Sequence, residues 1–188
     1  MSGIIPVVRP MFARSPEGGK FIQLPAGLTP QVTATTGELT LLFHIFLPVL
    51  GLGTSLLWDC RSAADSGVVV WVNSSGFPAV TTYGDLDTAG SVSPASMTPV
   101  DGRITVVGAR VRDGLISSFG FEPDGSLRAS AELSMVHVGA IAPTAPRIGT
   151  AGWSSFGENY ADIFTCAQAP RWLSDEEIIE AAQAMLAS

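Results

Sequence analysis

Short apolar runs alternate with turn-forming residues over most of this chain. Residues 39–47 are apolar at nearly every position, so a strand with a two-residue period would carry apolar side chains on both faces. Such a strand lies centrally in a sheet and is covered at least partly on both faces. Residues 68–72, with the sequence VVVWV, predict a second strand of this kind. The predicted strands span 20–24, 31–36, 39–47, 55–59, 67–73, 78–83, 103–111, 115–121, 126–133, 135–141 and 160–168.

Turn signals separate these strands, and only the C-terminus is helical in pattern. Turns are predicted at 73–76, 101–102, 113–114 and 123–125, where Asn, Asp, Pro and Gly cluster. Ser174 and Glu177 have the spacing of a capping box, in which the hydroxyl and the carboxylate each accept one backbone N–H. Apolar residues then recur at helical spacing, which predicts a helix over 174–187.

Many strands followed by one short helix predict an all-β protein, an antiparallel jelly-roll β-sandwich with a C-terminal α-helix. Residues 1–18 contain three prolines and a Gly18-Gly19 pair follows at their end, which favours an irregular N-terminal arm. The arm is also apolar, so we expect it to pack on its own domain or on a neighbouring subunit. Residues 19–188 then form one sandwich domain that includes the helix.

Composition and charge narrow the classes of partner. The 188 residues are 46% apolar and only 14% charged, which suits one globular domain, and no apolar run approaches the roughly 18 residues of a membrane span. The net charge is −7 and the arginines are scattered, which argues against nucleic acid. Arg110 and Arg112 form the one close basic pair, and the favoured interpretation is that they are ordinary surface arginines. The first twenty residues lack the pattern of a secretory signal, so we expect a protein made in the cytoplasm.

The order of these segments resembles a known superfamily. The segments that carry the resemblance are LTLLFHIFLP, LLWD, GVVVWVNSSGFPAVTTYG, RITVVGARVRDG, a hairpin turning at EPDG, and the closing PRWLSDEEIIEAAQAML. They are similar to the concanavalin A-like lectin/glucanase superfamily, in particular its laminin-G-like members, over about residues 20–187. The resemblance implies a lectin-like jelly roll. Two features depart from it: no Trp opens the strand 103–111, and FGFEPDGSL only approximates the usual aromatic-Val-Asp-Gly hairpin.

Catalytic patterns are absent from the sequence. Glucanase relatives carry carboxylates alternating along one strand, and this chain has no such strand; its densest carboxylates, at 175–180, suit a helix start. His44 and His137 lie in apolar strands without a nucleophile elbow or a zinc spacing. We therefore expect no enzyme activity. Cys60 and Cys166 are predicted to be buried reduced thiols, with one disulfide as the alternative.

Aromatic and acidic residues in loops are the candidate binding groups. Sugar binding needs exposed aromatic faces, for which Trp153, Tyr160 and Tyr83 are the candidates, whereas Trp71 among its valines is predicted to be core. The resemblance also implies loop-bound calcium, a cation that accepts carboxylate and carbonyl oxygens in loose coordination. The candidate ligands are Asp85, Asp87 and Asn73. The alternative, a solvated polar turn without a cation, is favoured.

Two functions follow from the sequence and the resemblance. The first is a non-enzymatic structural or interaction protein. Free-standing domains of this kind imply a bacteriophage virion component, capsid-decorating or tail-associated, with other assembly subunits and copies of itself as partners. The alternative is a carbohydrate-binding module that recognises a cell-surface glycan, with calcium as the candidate cofactor. Neither function requires nucleic acid or a membrane.

Overall fold

A computed structural model describes residues 5–8, 21–23, 38–48, 53–60, 67–83, 90–112, 115–130, 132–134, 147–149 and 161–187. The elements in these ranges are β1 (Ile5–Val8), β2 (Phe21–Gln23), β3 (Glu38–Phe46), β4 (Ser55–Asp59), β5 (Gly67–Val72), β6 (Pro78–Tyr83), β7 (Gly90–Val92), β8 (Ile104–Arg112), β9 (Leu115–Phe121), β10 (Leu127–Ala129), β11 (Leu133–Ser134), β12 (Arg147–Gly149), β13 (Asp162–Ala169) and α1 (Asp175–Leu186).

The strands form two antiparallel sheets. One has seven strands in the order β1-β13-β3-β8-β9-β10, with β11 also paired to β9; the other has six strands in the order β2-β12-β4-β5-β6-β7. Several neighbours in space are distant in sequence, as in the pairing of β3 with β8 and β13. The predicted antiparallel jelly-roll sandwich with one C-terminal helix is confirmed.

The main core lies between the two sheets. Phe43 of β3 and Trp58 of β4 are both fully buried there, with their ring centroids 6.3 Å apart. The other face of β3 is also covered, because Leu42 packs in a second apolar cluster beneath α1. The prediction that residues 39–47 form a central strand covered on both faces is therefore confirmed.

The helix closes the outward face of the seven-stranded sheet. Ser174 is its N-cap, and both hydrogen bonds of the capping box are present, which confirms the local prediction. Ile178 is fully buried against that sheet beside Val106 and Phe119, a burial that stabilises the fold by about 2 kcal/mol. Within the described ranges, no helix is long and apolar enough to span a membrane.

Several short strands were not predicted from the sequence. Residues 5–8 lie within the predicted irregular arm, yet they form β1 along the edge of β13. The strands β7 and β12, of three residues each, were also missed, because three residues are too few to show a two-residue period. The predicted strands 31–36 and 135–141 and the domain boundary at residue 18 lie outside the described residues, so these stay predictions.

Candidate functional site

The face of the six-stranded sheet that points away from the sandwich core carries aromatic and polar residues. Val68, Val70 and Val72 of β5 enter the core between the sheets. Because successive side chains alternate, Val69 and Trp71 point to the opposite face. Thr81 in β6 pairs with Val69, and Ser91 in β7 pairs with Thr81, so both hydroxyls share this outward face.

Trp71 is held in place by a directed row of hydrogen bonds. Its indole Nε1–H donates to Thr81 Oγ1 at 3.0 Å, and Thr81 Oγ1 donates to Ser91 Oγ at 3.2 Å. The ring packs on the fully buried side chains of Leu56 and Val69 and remains half-buried itself, whereas Ser91 is exposed. We call Trp71, Thr81 and Ser91 the indole–hydroxyl row.

The prediction that Trp71 belongs to the core is wrong. The run VVVWV is apolar at each position, so its alternation does not reveal which face meets the other sheet. The packing of Val70 and Val72 between the sheets decides this, and it leaves the indole on the outward face. The row can therefore present an aromatic surface and a hydroxyl to a ligand.

A pair of opposite charges lies on the same outward face. Asp59 in β4 stands directly opposite Arg147 in β12 and also opposite Val69 in β5. Directly opposite residues share a face, so both charged residues belong to the surface that carries the indole–hydroxyl row. Asp59 is 2% exposed, and Arg147 is half-buried.

The structure describes few of the binding residues predicted from the sequence. Asp85, Asp87, Trp153 and Tyr160 lie outside the described residues. Tyr83 is the last residue of β6, opposite Gly67, and its side chain is likewise outside the description. These candidate sugar and calcium ligands stay predictions.

Asn73 has a structural role in the turn between β5 and β6. Its Oδ1 accepts hydrogen bonds from the backbone N–H groups of Ser75 at 2.9 Å and Phe77 at 3.0 Å. The turn predicted at 73–76 is thus built around this side chain. Among the described residues, no three His, Cys, Asp or Glu side chains form a cluster that could hold a metal ion.

Arg110 is not an ordinary surface arginine, contrary to the favoured interpretation. It is 6% exposed, and its guanidinium donates to Leu173 O at 3.1 Å and to Asp175 Oδ1 at 2.7 Å. The guanidinium carbons of Arg110 and Arg112 lie 4.8 and 4.3 Å from the centroid of the Trp172 ring. Both cations thus attach the segment before α1 to β8, and Trp172 is engaged in that attachment.

The histidine and cysteines in the described part offer no activated nucleophile. Burial lowers the pKa of His44, whose ring centroid lies 5.1 Å from that of Phe164. Cys60 and Cys166 are thiols outside any disulfide and are each 1% exposed, which confirms the predicted buried thiols. Burial raises the pKa of Cys60 to about 11 and also raises the pKa of Cys166. His137 lies outside the described residues.

A groove of about 320 Å³ lies between the end of α1 and the β8–β9 side of the seven-stranded sheet. Ile104, 57% exposed, and Leu186, 47% exposed, line it. Its charged residues are engaged internally: Arg103 donates to the carbonyl oxygens of Phe121, Pro99 and Thr98, and Glu122 accepts from the Thr98 N–H. The groove therefore offers mainly apolar surface, in contrast to the face with the indole–hydroxyl row.

Comparison with known proteins finds a similar β-sandwich fold in solved structures. No protein-family model and no curated protein matches the chain. The botulinum neurotoxin serotype G binding domain is similar with a TM-score of 0.63 at 10% identity, over 89% of this chain and 45% of that one. The CBM40 domain of a Ruminococcus gnavus IT-sialidase, bound to α2,3-sialyllactose, is similar with a TM-score of 0.57 at 12% identity. The match covers 87% of this chain and 96% of that one. A Trypanosoma rangeli sialidase is similar with a TM-score of 0.56 at 16% identity, over 79% of this chain and 23% of that one.

The lengths covered differ between these structures. The chain spans less than half of the neurotoxin domain and about a quarter of the Trypanosoma rangeli sialidase, but nearly the whole of the CBM40 domain. At these identities the likeness shows the fold alone. The chain therefore has the β-sandwich, lectin-like fold that these binding domains share.

Proposed function

We propose that the chain is a non-catalytic carbohydrate-binding domain that recognises a cell-surface glycan through the outward face of its six-stranded sheet. The observation that carries the proposal is the half-buried indole of Trp71, fixed by Thr81 and flanked by the exposed hydroxyl of Ser91. A sugar ring has an apolar C–H face and a rim of hydroxyls. An aromatic surface beside hydrogen-bonding groups complements both features.

The fold supports this proposal. The CBM40 domain, which this chain covers almost from end to end, binds α2,3-sialyllactose in its structure. In the present chain α1 covers the outward face of the seven-stranded sheet. On the six-stranded sheet, the ligand surface that we propose is the indole–hydroxyl row, where the Trp71 ring is half-buried and Ser91 is exposed. Leu56, Val69 and Asp59 on the same face are at most 2% exposed and lie beneath that surface.

We assign no catalytic step to the chain. Its densest group of carboxylates lies at the start of α1, where Asp175 pairs with Arg110 and Glu177 pairs with Arg171. These contacts explain the carboxylates as parts of the helix attachment. The comparisons give no support to a bacteriophage virion role, to assembly partners or to a homo-oligomer, and these stay predictions.

Binding of the purified protein to a glycan array, beside Trp71→Ala, tests the proposal. We expect saturable binding to at least one glycan, and a loss of affinity of about tenfold or more in Trp71→Ala because the stacking surface is removed. Trp71→Phe, which keeps a ring on Leu56 and Val69, should lose less. Leu186→Ala removes an exposed apolar side chain from a different face and serves as the matched control.

A thermal melt of each variant separates lost binding from lost folding. Full affinity in a folded Trp71→Ala variant would contradict the proposed face, and a flat array would contradict carbohydrate binding. The array is run with calcium and with chelator. Binding lost with chelator would support the calcium prediction and direct mutation to Asp85 and Asp87.

A further inference from the structure

The indole–hydroxyl row has a fixed direction. An indole Nε1–H is a donor only, so the bond of 3.0 Å between Trp71 and Thr81 occupies an acceptor site of the threonine oxygen. The threonine hydrogen is directed to Ser91 Oγ at 3.2 Å. The hydrogens of the indole and of the threonine hydroxyl therefore point the same way, from β5 towards β7.

Ser91 ends the row with a hydrogen left to donate. Its Oγ accepts from Thr81, and within the described part of the chain its own O–H has no acceptor. The side chain is exposed, on the last strand of the six-stranded sheet. Because hydrogen bonds in a chain polarise one another, the outermost O–H is a stronger donor than an isolated serine.

From this direction we infer that the glycan presents an acetamido group to the row, an inference that rests on the proposed function. The carbonyl oxygen of the group accepts the Ser91 hydrogen, and its methyl group packs on the exposed part of the Trp71 indole. A carbonyl oxygen is an acceptor only, so it matches the row better than a sugar hydroxyl does. A protonated amine is a donor only and is mismatched.

The acetamido group occurs in N-acetylhexosamines and in sialic acids, and matched glycans distinguish these two sources. The array pairs N-acetylglucosamine with glucose and with glucosamine, N-acetylgalactosamine with galactose, and sialyllactose with lactose. The acetamido member of a pair should bind about three- to tenfold more tightly than its partner, the value of one hydrogen bond. A preference confined to sialyllactose would identify sialic acid as the source.

Ser91→Ala tests the row itself. In calorimetric titrations with the best acetamido glycan and its partner lacking the group, we expect the variant to lose the preference and to keep its affinity for the partner. Ser126→Ala, which removes an exposed serine hydroxyl from the turn between β9 and β10, should change neither value.

Three results overturn the inference. The strongest ligands could lack an acetamido group, both members of a pair could bind equally to the native protein, or Ser91→Ala could weaken both members alike. In each case carbohydrate binding itself still stands. If no glycan binds at all, the proposed function and the inference fail together.

Discussion

Gly108 lies in the middle of the seven-stranded sheet, opposite Leu42 in β3 and Phe119 in β9. A methyl group at this position would overlap the backbone carbonyl oxygen of Leu41 and the ring of Phe119. Gly120 is also crowded, but there the nearest atoms belong to the flexible end of the Met97 side chain. Two glycines of one sheet are therefore expected to tolerate substitution very differently.

We expect Gly108→Ala to lower the free energy of unfolding by about 3 kcal/mol or more, because a paired strand backbone cannot move aside. Gly120→Ala should cost about 1 kcal/mol, since the unbranched Met97 side chain can adopt another rotamer. Urea denaturation of both variants measures the difference. Equal losses, or a larger loss for Gly120→Ala, would contradict the described close approach of β3 and β8.

Single residues also show where reasoning from the sequence succeeds. The turn at Asn73 was predicted because a short amide side chain can bond to the backbone two residues ahead, and the structure contains that bond. The roles of Trp71 and Arg110 were not predicted. Which face of its strand is buried depends on the sheet or helix packed against it, and Arg110 meets a helix more than sixty residues further along the chain.

At the scale of the element, α1 carries its own start signal. Arg171 contacts both carboxylate oxygens of Glu177, at 2.8 and 2.7 Å, and the Ser174 backbone N–H donates to the same carboxylate at 2.9 Å. The hydrogen bond from Arg171, followed by that from Ser174, lowers the pKa of Glu177 to about 2. The ionised carboxylate therefore stabilises the folded state.

This lowered pKa predicts a loss of stability in acid. The contribution of Glu177 is complete above pH 4.5, its ordinary pKa, and disappears as the pH falls towards 2. Glu177→Gln keeps a side chain that suits the capping box but does not titrate. Urea midpoints measured between pH 2 and pH 6 should therefore fall less steeply in this variant than in the native protein. Parallel curves would show that the carboxylate makes no pH-dependent contribution.

At the scale of the whole molecule, one core joins the two sheets. Cys60 follows β4 of the six-stranded sheet, Cys166 lies in β13 of the seven-stranded sheet, and both belong to the same apolar cluster. Cys60 Sγ also donates to Val68 O at 3.3 Å. The reactivity of each thiol therefore measures the unfolding of the sheet to which it belongs.

We expect neither thiol to react with a maleimide at pH 8 in the native protein, because both are buried and their pKa values are raised. In increasing urea both should become reactive at the same midpoint, since loss of the shared core exposes them together. Cys60→Ala and Cys166→Ala identify the signal of each thiol. Labelling of one thiol at a lower urea concentration would show that the sheets unfold separately.

Local spacing along the chain is enough to predict the features that depend on neighbouring residues. These are the long apolar strand β3, the turns at 73–76 and 123–125, the capping box of α1 and, from their order, the class of fold. A two-residue period predicts a strand, and a spacing of three residues predicts a capping box, because in each case the interacting groups lie within one element.

The surfaces that those elements leave open depend instead on how the two sheets and the helix pack together. The strands β1 and β12 exist through pairing with partners that are distant in sequence. Trp71 faces outward because Val68, Val70 and Val72 meet the other sheet. The indole–hydroxyl row joins residues of three strands, and each residue of the row is 10 positions from the next in sequence. No local pattern specifies that alignment, because the register between strands is set by the packing of the whole sandwich.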